Sequence, residues 1–312
     1  MQSLIRPICL VGSRSIRPLG ACCPTAMPDS VRTRNCSDSK TISVNQVKSR
    51  AQEAAKAHNT TFGFEKISAE QKKNLVKGVF DSVASKYDLM NDVTSFGVHH
   101  CWKDYLVERI RPIPGQQLLD VAGGTGDIAL RFLKQAKING LRLGIRSEQD
   151  TKATVCDIST EMLAVGKARP GVPPEPHLTW LEGDAENLPF ESEKFDIVTI
   201  GFGMRNVTHM DRAMEEAHRV LKAGGRFFCL EFSHVDNPVL SRIYDLYSFQ
   251  VIPVMGQLLA GDWKSYQYLV ESIRKFPSQE VLADMIREAG FKCVSYENLF
   301  NGIAAIHVGF KL

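Results

Sequence analysis

The sequence has no run of 18 or more unbroken apolar residues, so it predicts no transmembrane helix. It also lacks any C-x-x-C pair among its eight cysteines, four of which lie in the first 36 residues (Cys9, Cys22, Cys23 and Cys36). The other four are scattered. A disulfide framework, a zinc cluster or any other metal site is therefore not expected.

Most of the chain also lacks excess positive charge. The formal net charge is +3, but residues 1–50 hold eight Lys and Arg against two acids. Removing them from the totals of 38 and 35 leaves 30 basic and 33 acidic residues, a net of about −3. A nucleic-acid-binding protein needs a basic face, so a nucleic-acid partner is not expected.

Acids are absent from residues 1–28, which contain Arg6, Arg14, Arg17 and several serines. This composition is typical of a mitochondrial presequence. We interpret residues 1–50 as a transit peptide and expect a mitochondrial protein. A merely disordered tail is the alternative interpretation.

Beyond the presequence, apolar residues at helical spacing predict a helical N-terminal cap over residues 51–115. From residue 116, strand and helix patterns alternate, which predicts a parallel sheet covered by helices. Residues 138–153 are predicted to form an inserted loop, and Gly224-Gly225 to stop a helix. The last stretch, KCVSYENLFNGIAAIHVGFKL, predicts two adjacent antiparallel strands.

The first predicted strand runs into a glycine loop, LLDVAGGTGDIA (residues 118–129). Gly124-x-Gly126-x-x-Ala129 satisfies the dinucleotide-binding fingerprint, with Asp157 as the later acid. Asp157 lies 31 positions after Gly126, whereas a dinucleotide site places its acid about 20 residues on. Because a loop is inserted between them, the spacing leaves a nicotinamide-dependent oxidoreductase open.

The surroundings of the loop favour another ligand. Asp120 precedes the glycines, Asp184-Ala185 ends the third strand, and a terminal hairpin closes the sheet. Together they resemble the Rossmann-like class I methyltransferases, which have a seven-stranded, mostly parallel sheet and use S-adenosylmethionine (SAM). Tight glycines let the backbone approach such a ligand.

In that interpretation, Gly123, Gly124, Thr125 and Gly126 surround the methionine part of SAM. Asp157 accepts the ribose hydroxyls, and Asp184-Ala185 contacts adenine. Two alternatives stay open: the acids cap the helices that follow, and Gly123 serves only the turn.

Three longer stretches carry a closer resemblance: KYDLMNDVTSFGVHHCWK (86–103), FGMRNVTHMDRAMEEAHRVLKAGGRFFCLEFS (202–233) and SYQYLVESIRKFPSQ (265–279). From about Phe62 to its end, the chain resembles the C-methyltransferases of ubiquinone and menaquinone biosynthesis. With a mitochondrial presequence, this implies C-methylation of the ring of 2-methoxy-6-polyprenyl-1,4-benzoquinol for ubiquinone. A menaquinone precursor ranks second.

The resemblance also implies the methyltransferase core, residues 116–312, and association with other ubiquinone-biosynthesis proteins in a multienzyme complex. The sequence departs from the family at three positions. Gly201 replaces a serine that contacts SAM in bacterial members, His100 replaces arginine, and Ala223 replaces proline. We assign no catalytic role to His100.

Arg205-Asn206 follows the fourth strand of the core, where loops meet substrate in this fold; the resemblance singles out the same pair. A ring carbon attacks a methyl group only when an adjacent hydroxyl ionises, which the quinol permits and the quinone does not. Arginine stays protonated, so we expect Arg205 to stabilise the phenolate or order a proton-carrying water. Asn206 would position the hydroxyl. Alternatively, Arg205 pairs with an acid and only holds the loop.

The polyprenyl chain requires an apolar channel. Two segments are suited to it: the helical front, with Phe80, Tyr87, Met90 and Trp102, and a predicted helical insertion over residues 233–275. A lipid-tailed substrate implies peripheral contact with the inner membrane on the matrix side. Two further hypotheses remain: another small-molecule O- or N-methyltransferase, and a non-catalytic scaffold with the same fold.

Overall fold

The computed structural model describes residues 59–145 and 151–312. The predicted transit peptide lies outside the described residues, as does the start of the predicted helical front. Within the described ranges, no helix combines the length and the apolar character that crossing a membrane requires.

Nine strands are present in these ranges: β1 Asn59–Phe62, β2 Glu65–Ser68, β3 Gln117–Val121, β4 Lys152–Asp157, β5 Leu178–Glu182, β6 Phe195–Gly201, β7 Leu221–Phe232, β8 Lys292–Leu299 and β9 Ala304–Phe310. β1 and β2 form a separate antiparallel hairpin. The other seven form one sheet in the order β5-β4-β3-β6-β7-β9-β8. Neighbouring strands from β5 to β7 are parallel, and β9 pairs antiparallel with both β7 and β8. The predicted sheet and terminal hairpin are confirmed.

Ten α-helices are described: α1 Ala69–Val83, α2 Tyr87–Ser95, α3 Val98–Ile110, α4 Asp127–Leu143, α5 Thr160–Lys167, α6 Met210–Val220, α7 Pro238–Gln250, α8 Ile252–Ala260, α9 Trp263–Lys275 and α10 Gln279–Glu288. Ser159 caps α5 as predicted, with its side chain accepting from the Met162 N–H. The three helices α7 to α9 lie in the stretch between β7 and α10.

Two large groups of buried apolar residues fill the core of the sheet and its helices. The chain runs from β3 to β4 and β5 on one side, then crosses to β6 and β7 on the other. The carboxyl ends of β3 and β6 therefore lie side by side where the strand order reverses. In open α/β sheets this switch point is where ligands bind.

Three sequence predictions were wrong in detail. The first described part of the front, residues 59–68, is the β1–β2 hairpin rather than a helix, and its turn contains Gly63 at φ +56°. α4 continues to Leu143, over the first six residues of the predicted loop. Gly140 does not end the helix; it packs against Pro114, where a Cβ would come within 2.6 Å of that ring.

The third concerns Gly224-Gly225, which does not stop α6. The helix ends at Val220, because Leu221 turns extended and pairs with Phe195 in β6. Both glycines lie inside the strand that follows, at an irregularity in its pairing with β6.

Candidate active site

The glycine loop between β3 and α4 is held by its own packing. A Cβ on Gly123 would lie 2.9 Å from atoms of Asp120 and Val155, and one on Gly126 would lie 2.5 Å from the Trp180 ring. Gly124 and Gly126 also have φ of +55° and +74°, which favour glycine. Neighbouring protein atoms thus leave no room for a side chain at Gly123 or Gly126.

Asp157 at the end of β4 ties this loop to the next strand. Its two carboxylate oxygens accept the N–H groups of Gly124 at 2.8 Å and Ser159 at 2.9 Å. Burial raises the pKa of Asp157, and these backbone bonds oppose the shift. Because Ser159 is the cap of α5, the capping interpretation of Asp157 is wrong. A carboxylate offers about four acceptor sites, so both oxygens keep capacity for a pair of ligand hydroxyls.

Asp184 lies beyond the end of β5. It accepts the Glu186 N–H at 3.0 Å, and Lys73 of α1 donates to its other oxygen. The residues that follow form turns and an isolated bridge to Asn187 rather than a helix. The alternative that Asp184 caps a helix is therefore wrong.

A cavity opens among these groups, and we call it the cofactor cavity. It is lined by six of the residues predicted from the sequence to contact SAM: Gly123, Gly124, Thr125, Asp157, Asp184 and Ala185. Gly126 packs against Trp180 instead. The donor set fits a nucleoside with an amino-acid tail: a buried carboxylate for a diol, a second acid for an amino group, and the Gly124 backbone in the cavity wall.

The sequence analysis missed a buried charge pair at this cavity. Lys103 Nζ donates to Asp127 Oδ2 at 2.9 Å, and both residues line the cavity. Burial alone would raise the pKa of Asp127, but Lys103 and Arg131 hold it well below its usual range. The available signal was a lysine in an otherwise apolar helical pattern, since a buried lysine needs a partner.

Thr125 has a partner within the protein. Its hydroxyl donates to Asp88 of α2 at 3.3 Å, and Arg169 also pairs with Asp88. Ser159 donates to Asp81 of α1 at 2.6 Å. Together with Lys73 on Asp184, these contacts bind α1 and α2 to the rim of the cofactor cavity.

Gly201 also lines the cofactor cavity, at the end of β6. A Cβ at this position would lie 2.3 Å from Ile128 Cδ1. The space that a serine side chain would take is therefore filled by isoleucine in this chain.

A second cavity, the apolar pocket, adjoins the first. Both are lined by Phe80, Tyr87, Lys103, Phe202 and Asn206. Met90, Tyr266 and Leu269 line the apolar pocket but not the cofactor cavity. Trp102 of α3 lines neither cavity and packs in the core instead.

Arg205 lines the apolar pocket as one half of a buried ion pair. Its Nη1 donates to Glu231 Oε1 and to the Phe202 carbonyl, both at 2.6 Å. The two side chains are 6% and 1% exposed. The acid required by the loop-holding interpretation is thus present, and the sequence analysis did not identify it. Arg205 Nε is buried without a hydrogen-bond partner.

Asn206 lies where the two cavities meet. Tyr268 of α9 donates its hydroxyl to Asn206 Oδ1 at 3.1 Å, which orients the amide. Burial raises the pKa of Tyr268 to about 12, so this hydroxyl stays a donor at neutral pH. The amide nitrogen makes only a long 3.5 Å contact with the Phe202 carbonyl and keeps capacity for a ligand.

Asp92, His99 and His100 form a cluster beside the apolar pocket that sequence spacing did not identify. The Nε2 atoms of both histidines lie 2.8 and 2.7 Å from Asp92 Oδ1. Arg131 contacts His100 Nδ1 at 2.8 Å, and arginine only donates, so His100 Nε2 carries the ring proton. Both histidines therefore act as hydrogen-bond donors to Asp92.

Asp120 is a fully buried acid in β3, the strand that precedes the glycine loop. Burial raises its pKa to about 7, and Thr199 donates to its Oδ1 at 2.7 Å. The native state thus holds a proton that the unfolded chain loses near pH 4. The protonated Asp120 therefore contributes to the free energy of unfolding fully below pH 4, and this contribution is lost as pH rises through 7.

We expect the Asp120→Asn variant to gain stability relative to the unmodified protein between pH 5 and pH 8, by on the order of 2–4 kcal/mol. Urea unfolding at pH 5, 6.5 and 8 measures the difference. A difference that is constant with pH would show that Asp120 is ionised in the native state.

The comparisons with known proteins agree with this geometry. The sequence model of the ubiE/COQ5 methyltransferase family matches residues 66–311. The human protein named mitochondrial 2-methoxy-6-polyprenyl-1,4-benzoquinol methylase is 56% identical over 280 residues, covering 82% of this chain and 86% of that protein. The zebrafish (Danio rerio) protein of the same name is 52% identical over 285 residues, with coverage of 83% and 86%.

Solved structures share the fold at low identity. A SAM-dependent methyltransferase from Thermotoga maritima, described as a possible histamine N-methyltransferase, is 21% identical with a TM-score of 0.51. The match covers 76% of this chain and all of that one. The [4+2]-cyclase SpnF is 17% identical with a TM-score of 0.53, covering 77% and 96%. The fold is thus the Rossmann-like class I fold that the sequence predicted, and the chain belongs to the ubiE/COQ5 methyltransferase family.

Proposed function

We propose that this protein methylates the ring carbon of 2-methoxy-6-polyprenyl-1,4-benzoquinol, with SAM as methyl donor, in ubiquinone biosynthesis. The observation that carries the proposal is the junction of the two cavities. A cavity suited to a nucleoside meets an apolar pocket at Asn206, with Arg205 in the pocket wall. The names of the human and zebrafish relatives supply the substrate class.

When bound, SAM supplies an electrophilic methyl group on a positively charged sulfur. We assign the ribose hydroxyls to Asp157, whose oxygens each already accept one N–H. Asp184 and Ala185 are assigned to adenine. Gly123, Gly124 and Thr125 are assigned to the methionine part, where the Gly124 backbone lies in the cavity wall. Gly126 instead lets the loop pack closely against Trp180.

Arg205 is assigned to the quinol oxygen. The Glu231 pair and the Phe202 carbonyl fix its guanidinium through Nη1, while Nε remains buried and without a partner. A fixed donor in a pocket with little water stabilises a developing phenolate strongly. The pair with Glu231 therefore positions Arg205 for this role. Asn206, oriented by Tyr268, is assigned to hold the same hydroxyl through its amide nitrogen.

The polyprenyl chain is assigned to the apolar pocket and to the helices α7 to α9 beside it. Val239, Ile243 and Leu246 recur along α7 at spacings of four and three and are at least 61% exposed; Leu258 of α8 is 77% exposed. Such a surface is suited to a bilayer. We place the protein on the matrix side of the mitochondrial inner membrane, in association with other ubiquinone-biosynthesis proteins.

Methyl transfer by the full chain tests the proposal. Methyl-labelled SAM is incubated with a short-tailed 2-methoxy-benzoquinol, in parallel with the corresponding quinone, and the label is located by mass fragmentation. We expect label on a ring carbon with the quinol only. Label on oxygen or nitrogen would identify a different methyltransferase. Tight SAM binding without transfer, even with the partner enzymes added, would favour a scaffold.

A further inference from the structure

His99 lies in the wall of the apolar pocket with one ring nitrogen unused. Its Nε2 is 2.8 Å from Asp92 Oδ1, and the side chain is 6% exposed. A carboxylate only accepts, so Nε2 carries a proton. Burial and the charge of Lys103 lower the pKa of His99 to about 4, so the ring is neutral at pH 7. Its buried Nδ1 therefore carries a lone pair.

That lone pair has no partner. Among the described residues, two that line the apolar pocket carry a buried polar side-chain atom without a hydrogen bond. They are His99 Nδ1, an acceptor, and Arg205 Nε, a donor. An unpaired acceptor and an unpaired donor, on two residues that line the same apolar pocket, suit a hydroxyl that must give up its proton and then carry negative charge.

We propose, on the basis of the function proposed above, that His99 is the base that takes the quinol hydroxyl proton and that Asp92 holds its ring in the required tautomer. In this step the O–H bond breaks and the proton moves to Nδ1. The ring carbon forms a bond to the methyl group, and the electron pair of the broken S–C bond stays on sulfur. The ring carbon then loses its own proton to water, and the oxygen takes back the proton from His99.

The charge balance of the pocket makes a weak base sufficient. One positive charge disappears from sulfur as one appears on the imidazole, so the net charge of the two cavities does not change. The groups that act on His99 are Asp92 from α2 and His100 and Lys103 from its own helix. Asp92 lies within hydrogen-bond distance and stabilises the imidazolium as it forms.

The test compares His99→Gln with a matched control in the quinol assay under anaerobic conditions. Glutamine keeps a donor towards Asp92 and removes the lone pair at Nδ1. His307→Gln is the control, because His307 is also buried, bonds the Gln279 carbonyl through Nε2, has an unpaired Nδ1 and does not line the apolar pocket. We expect His99→Gln to lower kcat by roughly 10²–10³ with SAM affinity unchanged, and His307→Gln to leave kcat within about twofold.

The pH profile separates a base from a structural residue. Without His99, the reaction depends on quinol that ionises on its own, so the rate should rise about tenfold per pH unit between pH 6 and 9. The unmodified protein should be nearly flat there, because its base is already deprotonated. A His99→Gln kcat within threefold of normal, or a lower rate with a parallel profile, would overturn the proposal.

If His99→Gln does not fold, the Asp92→Asn variant tests whether His99 is the base. Asparagine still accepts from Nε2 but cannot stabilise the imidazolium, so we expect kcat to fall about tenfold or more with normal SAM binding. An unchanged kcat would overturn the proposal. An unmodified protein that binds SAM but does not methylate the quinol would instead contradict the proposed function.

Discussion

Arg205→Ala is expected to lower turnover by a factor of roughly 10²–10³ and the free energy of unfolding by about 3–5 kcal/mol. Under the proposed function, turnover falls because a fixed donor to the phenolate is lost. Stability falls because Glu231, 1% exposed, is left as an unpaired buried charge. Single-turnover methyl transfer and urea unfolding measure the two effects.

The double variant Arg205→Ala/Glu231→Gln separates the two roles. Neutralising Glu231 removes the unpaired charge, so we expect much of the lost stability to return while turnover stays low. Arg205→Lys keeps a charge near Glu231 but loses the planar fork, so it should retain more stability than turnover. Recovery of turnover together with stability in the double variant would establish the loop-holding interpretation of Arg205.

Asp157→Asn is expected to raise the SAM dissociation constant by roughly 10- to 100-fold, since hydrogen bonds to a charged group contribute about 1.5–3 kcal/mol. Asparagine has one acceptor oxygen, so its amino group would face the N–H of Gly124 or Ser159. Isothermal titration with SAM gives the affinity.

Asp184→Asn is the matched control for Asp157. Its carboxylate is 29% exposed and pairs with Lys73, so we expect a smaller loss of affinity. At saturating SAM, kcat of Asp157→Asn should stay within a few-fold of normal, because the assigned ribose contact is remote from the methyl group. Equal SAM affinity in Asp157→Asn and the unmodified protein would show that Asp157 serves the loop alone.

The sheet was predictable because its strands alternate with helices over whole segments. The β1–β2 hairpin was not, because each strand has four residues and the helical pattern of α1 begins directly afterwards. Gly140 led to the wrong prediction of a loop from residue 138 for a similar reason. Glycine is a common helix breaker, and its contact with Pro114 exists only after folding.

The candidate site also contains residues that the sequence predicted and residues that it did not. The positions of Asp157 and Asp184 at the cofactor cavity were predictable, because the carboxyl ends of parallel strands lie at one edge of the sheet. Glu231 and Lys103 were not, because each is defined by a partner far away in sequence. An acid inside the apolar strand RFFCLEF signals a buried charge, but it does not say which cation pairs with it.

The contacts that bind α1 and α2 to the cofactor cavity link folding to ligand concentration. Lys73 on Asp184, Ser159 on Asp81 and Thr125 on Asp88 join these helices to the ends of three strands or their loops. Partly exposed ion pairs such as the first contribute little alone. A ligand that binds the cofactor cavity only when these contacts are formed stabilises them by RT ln(1 + [L]/Kd), about 2.7 kcal/mol at a hundredfold excess over Kd. The local unfolding equilibrium of the two helices therefore varies with the supply of methyl donor.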